Sequence, residues 1–237
     1  MSPKIENLPS GSSAQRNSLN HQAIEDYLKT IYTLAEEESP VSTSRIAEAR
    51  DVKPASVTNM MQRLAKLNLV DYEKHGGVSL TESGNQIALE VIRHHRLIEL
   101  YLMEALGFRW DEVHEQADIL EHVISEKLEE RMAAALNHPT VDPHGDPIPA
   151  RDGTITSTDT HPLVSLEQGQ RARISRIVDD ADSEMLRYLA GLGLTPGIAF
   201  TVRDVAPFEG PLTLELDGKE RVIGYNVAGV ILVERLE

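Results

Sequence analysis

Apolar and polar positions follow one another along the chain in two rhythms, first a helical one and then, after a break, a strand one. Between residues 20 and 37, Ile24, Tyr27, Leu28, Ile31, Leu34 and Ala35 recur at i, i+3, i+4 and i+7. That spacing predicts an amphipathic helix, with Asp26 on its polar face. Pro40 closes this region, Ser42 and Thr43 can cap a short second helix through Ala49, and Pro54 suits the first turn of a third that continues to Leu69. Val57, Met60, Met61, Leu64 and Leu67 are the core positions of the third helix. Residues 70–84 read as two short strands around Gly76-Gly77, a hairpin. Thr81 can cap a long helix from 82 to 106, ended by Gly107. Its apolar arc holds Ile87, Ala88, Val91, Ile92, Ile98 and Leu102, and His95 and Glu99 fall inside that arc. His94 points elsewhere and reads as exposed. Residues 111–136 read as one further long helix, with Val113, Ala117, Leu120 and Ile124 as its apolar stripe.

Past Leu136 the rhythm stops. Residues 137–162 are rich in Pro, Gly and Asp, a long loop followed by a linker. His138, His144 and His161 read there as loop histidines, with His144, beside Asp142 and Asp146, at best a weak metal ligand. From Leu163 the period shifts towards strands: residues 169–178, 197–205, 210–218, 220–227 and 229–236, with Gly-bearing turns and one helix from Asp182 to Leu189. Such a series suggests a small β-barrel.

Composition narrows the classes. At 237 residues the chain should hold two or three small domains. It has no apolar run long enough to span a membrane and no apolar run near its start to serve as a secretory signal. It has no cysteine, which excludes disulfides, thiolate chemistry and cysteine zinc sites and points to the cytoplasm. Any metal site must then use nitrogen and oxygen. The formal net charge of −15 argues against a simple nucleic-acid coat. Yet residues 42–70 carry Arg45, Arg50, Lys53, Arg63 and Lys66 against Glu48 and Asp51, a local excess of three positive charges.

Two patterns carry chemistry. The third helix presents Ser56, Thr58, Asn59 and Arg63, preceded by Lys53, on the face away from its core. Two helices joined by a short turn, the second polar and basic, followed by a hairpin, form a winged helix-turn-helix whose second helix enters the major groove. The competing reading is a helical core module without a ligand. On 111–136, His114, Asp118, Glu121 and His122 share one side of the helix beside its apolar stripe. Neutral imidazole and ionised carboxylate suit a divalent first-row metal; the competing reading is an acidic, solvated face. His95 and Glu99 either satisfy each other or share a metal with His114.

The stretches EDYLKTIY (25–32), HHRLIELYL (94–102), EVHEQADILEHVISEKLEERM (112–132) and PHGDPIP (143–149) resemble the metal-dependent transcriptional regulators of the diphtheria toxin repressor and manganese transport regulator family. The resemblance covers residues 20–237. It implies a mainly α fold with a small β part. After an N-terminal arm (1–19, expected disordered) come a winged helix-turn-helix domain (20–92) and a helical metal-binding and dimerisation domain (93–150). A linker (151–162) leads to an SH3-like, FeoA-like barrel (163–237). It also implies a repressor of metal-ion homeostasis genes, cytoplasmic and not an enzyme, acting as a homodimer on double-stranded operator DNA. Two metal sites per subunit are expected. Asp26, Asp118, Glu121 and His122 match the activating site, and His95, Glu99 and His114 the second, with Asp182 and Glu184 the nearest barrel candidates for it. Lys53, Ala55, Ser56, Thr58 and Asn59 match DNA-facing positions. Iron-type members have Met and Cys where this chain has Asp26 and Asp118, and the harder ligands favour Mn(II), with Fe(II) second. Lys29, where manganese-type members often have a second acid, matches the iron-type pattern instead. A di-metal enzyme of the helical-bundle kind would repeat Glu-x-x-His units on separate helices, whereas here Glu121 and His122 are adjacent. A metal-independent winged-helix protein is the other alternative.

Overall fold

Helix-compatible spacing and well-placed caps build the first part of the chain. In the computed structural model, which describes residues 13–156, 158–178 and 182–236, two units divide between Val91 and Ile92. The first contains α1 (Ser13–Ala35), α2 (Thr43–Ala49), α3 (Pro54–Lys66) and the antiparallel pair β1 (Val70–Glu73) and β2 (Gly77–Leu80). The sequence pattern begins α1 near residue 20, but the helix already runs from Ser13, because residues 13–19 contain neither Gly nor Pro to stop it. Residues 1–12, most of the expected disordered arm, lie outside the described residues. Ser42 caps α2 by accepting the Arg45 N–H at 3.2 Å. Pro54 opens α3, and Arg63 and Lys66 sit in its last turn, where the helix dipole favours positive charge.

Leu28, Ile31, Ile46, Val57, Met61, Leu64 and Val78 are fully buried and form the core of this unit. Burying each such side chain contributes about 1.5–3 kcal/mol. A backbone bridge from Val41 to Val78 ties the entry of α2 to the hairpin. At Gly84, near the start of α4 (Glu82–Leu106), a β-carbon would collide with the Leu69 carbonyl, so only glycine lets the helix begin there. Thr81 accepts the Gly84 N–H and caps α4 as its sequence suggests.

The second unit begins within α4. The segment 111–136 is not one helix but two, α5 (Val113–Leu120) and α6 (Glu126–Ala135). Ser125 provides the reason: its hydroxyl accepts the Leu128 N–H and starts a new helix, after the β-branched pair Val123-Ile124. Glu121 and His122 therefore lie in the turn between helices rather than on a helical ridge.

The C-terminal part is a six-stranded antiparallel sheet of order β3-β8-β4-β5-β6-β7. Its strands are β3 (His161–Pro162), β4 (Arg171–Ile177), β5 (Ala199–Val205), β6 (Leu212–Leu216), β7 (Lys219–Ile223) and β8 (Ile231–Leu236). Bulges at Ile174/Arg176 and Val202/Asp204 bend it. Between β4 and β5 lies α7 (Ser183–Leu192), closed by Gly193 at φ +75°. Tyr225–Gly229 forms a short helix, α8, where the sequence pattern continues a strand, because Gly224 ends β7 and caps the turn. Leu163, Ile174, Ile177, Leu189, Val202 and Leu214 centre the core of this part.

Candidate metal centre and DNA-facing helix

The DNA candidates lie together on α3 and its N-cap. Lys53, Ala55, Ser56 and Asn59 are exposed, while Thr58 and Arg63 are half-buried. Thr58 donates its hydroxyl to Pro54 O at 3.1 Å, so part of its hydrogen-bonding capacity is taken within the helix.

In the second unit, α4 turns one face of imidazoles and carboxylates towards α5, its following turn, and the loop after α6. His95 and Glu99 are buried and meet, Nε2 to Oε1, at 3.0 Å. His114, on α5, places Nδ1 3.2 Å from both. Asp118 lies 3.3 Å from His95 Nδ1, and Glu121 Oε2 lies 2.5 Å from the same nitrogen. His95, His114 and Asp118 can thus offer three ligand atoms within 4.8 Å of one another. Asp118 is half exposed, whereas Glu121 is buried. His122 also has a buried side chain, 3.4 Å from Glu121 Oε1. Asp26 belongs to the first unit, where its carboxylate accepts a 2.9 Å hydrogen bond from Arg50 instead of facing solvent alone.

A second cluster joins Glu99 of α4 to Asp142 and His144, which the sequence pattern places in a loop. Glu99, Asp142 and His144 are all buried and converge within 4.8 Å. His144 is not a loop histidine in solvent: its Nε2 lies 2.9 Å from the Trp110 carbonyl, and its ring stacks on Trp110 at 5.6 Å. The segment is fixed from both sides. Asp142 Oδ1 accepts the His144 and Asp146 N–H groups, and Asp146 Oδ1 pairs with Arg96 at 2.9 Å and Arg176 at 2.8 Å. Gly145, at φ +90°, lies so close to Ser175 of β4 that a β-carbon would overlap the backbone. The available signal was local, acids two residues before and after a histidine inside a proline-rich loop; the partner Glu99 lies far away in sequence. His94, expected exposed, is buried and holds the Glu121 carbonyl at 3.2 Å through Nδ1.

The barrel candidates are placed differently. Asp182 caps α7, accepting the Glu184 and Met185 N–H groups, and Glu184 is exposed. Among the described residues neither joins a His/carboxylate cluster.

The electrostatics suit a cation. Burial alone would raise the Glu99 carboxyl, but the charge on His95, the hydrogen bonds of His114 and His95 to Oε1, and the nearby His144 imidazole outweigh it and hold it well below its usual range. Burial pushes Asp142 well up, and the Asp146 and Glu99 carboxylates push it further. Glu99 Oε2 and Asp142 Oδ2 are buried with no hydrogen-bond partner among the described residues. Two such oxygens beside an imidazole form an all nitrogen and oxygen donor set, which fits a divalent first-row ion.

Comparison with known proteins adds a lineage to this geometry. The iron dependent repressor N-terminal DNA-binding domain matches residues 21–78, the iron dependent repressor metal-binding and dimerisation domain 81–150, and the FeoA domain 161–235. The iron-dependent repressor IdeR of Mycobacterium tuberculosis is 32% identical over 224 residues, spanning 90% of this chain and 96% of the relative. The chain belongs to the diphtheria toxin repressor and manganese transport regulator family. Within that family, the diphtheria toxin repressor of Corynebacterium jeikeium is 28% identical over 90% of this chain and 96% of its own length. A solved manganese-dependent transcriptional repressor in complex with manganese superposes with a TM-score of 0.82 at 38% identity, covering 90% of this chain and all of that one. The manganese regulator SloR gives 0.72 at 34% identity, covering 90% and 98%. The family's division into a helix-turn-helix domain, a helical dimerisation domain and an SH3-like FeoA domain is the one this chain shows. Among the described residues no helix is long and apolar enough to cross a membrane.

Proposed function

We infer that the chain is a metal-dependent, DNA-binding transcriptional repressor that acts as a homodimer on operator DNA and performs no catalysis of its own. The observation that carries this reading is the combination of a winged helix with an exposed polar α3 face and buried His/carboxylate clusters, in a chain that matches a repressor relative along 96% of that relative's length. Asp26, Asp118, Glu121 and His122 would hold the activating ion. His95, Glu99 and His114 would hold a second, with Asp142 and His144 beside Glu99. The ion supplies concentrated positive charge that offsets the carboxylates, with Mn(II) favoured by the hard donors and Fe(II) next.

The protein's own part is electrostatic and mechanical. Without a cation, the Asp26 carboxylate and those of Asp118 and Glu121 repel when brought together, so the arrangement that gathers them is disfavoured. With one, that arrangement is selected, and the two α3 helices of a dimer are held at the spacing of paired half-sites. The coupling runs both ways, so operator DNA tightens metal binding by the same factor. Lys53 and Arg63 supply phosphate contacts, and Ser56, Thr58 and Asn59 reach base edges. The genes controlled are those of metal-ion balance, and the place of action is the cytoplasm.

Asp26→Ala tests the gate: the variant should fold, bind random DNA as the parent does, and lose most of the Mn(II)-stimulated gain on operator DNA. A full Mn(II) response in that variant would remove Asp26 from the site.

A further inference from the structure

We propose that Arg50 is a built-in counter-ion that occupies the Asp26 carboxylate when no metal is bound and so sets the metal concentration at which the repressor switches. The proposal rests on the reading of Asp26 as a ligand of the activating ion. Arg50 is the C-cap of α2, its backbone N–H bonded to Glu48 O and Ile46 O, and its main chain is therefore fixed. From there its Nη2 reaches back 24 residues to Asp26 Oδ2 at 2.9 Å. The guanidinium lies over the Tyr27 ring, 5.3 Å from its centroid. Both side chains are mostly shielded, with 30% and 22% of their surfaces exposed, so solvent screens the pair only in part.

Two features make this pair a competitor for the metal rather than a permanent brace. Its geometry is incomplete: Arg50 Nε is buried with no hydrogen-bond partner among the described residues, so the fork-to-fork arrangement that gives Arg–carboxylate pairs their strength is not made. And the guanidinium sits on the carboxylate that a dication would use, so the two positive charges oppose each other there. A metal arriving at Asp26 must displace this charge or share the carboxylate with it. Either way the intrinsic affinity of the site falls, and the switch point moves to higher metal.

The test is Mn(II) titration of the full-length protein, with free Mn(II) read by electron paramagnetic resonance, for the parent, Arg50→Gln, Arg50→Lys and Asp26→Ala. Asp26→Ala identifies the class of sites that depends on Asp26. For that class, Arg50→Gln should tighten binding roughly three- to tenfold, the range expected on removing a partly buried opposing charge. Arg50→Lys, which keeps the charge, should stay near the parent. Unchanged or weaker binding in Arg50→Gln would overturn the proposal, as would equal tightening in both Arg50 variants, which would trace the effect to packing on Tyr27. If Asp26→Ala binds Mn(II) like the parent, the reading of Asp26 as a ligand fails, and this proposal with it. Loss of a site in Asp26→Ala with no change in Arg50→Gln defeats this proposal alone.

Discussion

The two units of this protein solve the problem of a core in opposite ways. Among the described residues the first unit buries apolar side chains only, with Leu28, Ile31, Met61 and Leu64 at its centre. All nine buried polar or charged residues belong to the second: His94, His95, Glu99, Asp111, Glu121, Glu129, Asp142, His144 and Asp146. An apolar core is complete without any ligand. A core of converging carboxylates and imidazoles is costly unless each group is paired, by a proton, a neighbour or a cation. The first unit therefore needs no ligand to complete its core, and the second carries the incompleteness that a metal can relieve.

That contrast can be broken in order of effect. Leu64→Ala should cost about 2–5 kcal/mol, as large-to-small changes in packed cores do. The loss should be the same in chelator and in Mn(II), read by denaturant titration; a loss that depends on metal would mean that the first unit is not autonomous. Glu99→Gln should cost about 1–3 kcal/mol, because His95 and His114 lose a charged acceptor, and it should also shrink the Mn(II)-induced rise in Tm.

Asp142→Asn should go the other way. The lowered Glu99 carboxyl contributes stability that is present above its unfolded value of 4.5 and is lost as pH falls through the lowered one. Asp142 is raised above 3.8, so the stability linked to it is full below that value and is lost as pH rises through the raised one. In chelator at neutral pH, Asp142→Asn should therefore be no less stable than the parent and more stable by up to about 1 kcal/mol. Its response to Mn(II) should be weaker. A chelated variant clearly less stable than the parent would show that the Asp142 charge is held by Arg96, 3.8 Å from Oδ2, and is not a waiting ligand. The smallest effect on stability belongs to Asn59→Ala, within about 0.5 kcal/mol for an exposed position. Its effect should appear as lost discrimination between operator and random DNA; equal loss on both would take Asn59 out of base readout.

The same contrast governs how far the sequence could be read. In the first unit, period, caps and turn residues agree, and the helices, the wing and the exposed α3 face follow from local pattern, apart from the earlier start of α1 at Ser13 and Leu67, which is exposed and not in the core. The strands after Leu163 are nearly as plain, apart from Tyr225–Gly229, where the glycine at 224 outweighs a strand-like composition. The metal region was harder because its information is not local. Residues 111–136 keep one apolar period across a break that only the Ser125 cap marks. His144 looks like any histidine of a polar loop until Glu99 and Trp110, 45 and 34 residues earlier, close around it. Gly145 and Asp146 fix that loop through contacts with β4 that no spacing rule anticipates.

Metal control of operator binding is the central claim, and one titration tests it most directly. Fluorescent DNA from the promoters of adjoining metal-transport genes, with a random duplex beside it, would be titrated with the full-length protein at fixed salt. The series runs first in chelator, then in Mn(II), then anaerobically in Fe(II). The account predicts tight, sequence-selective binding with metal and only weak, unselective binding in chelator. Equal, selective binding with and without metal would contradict it and reduce the His/carboxylate clusters to structural pairing.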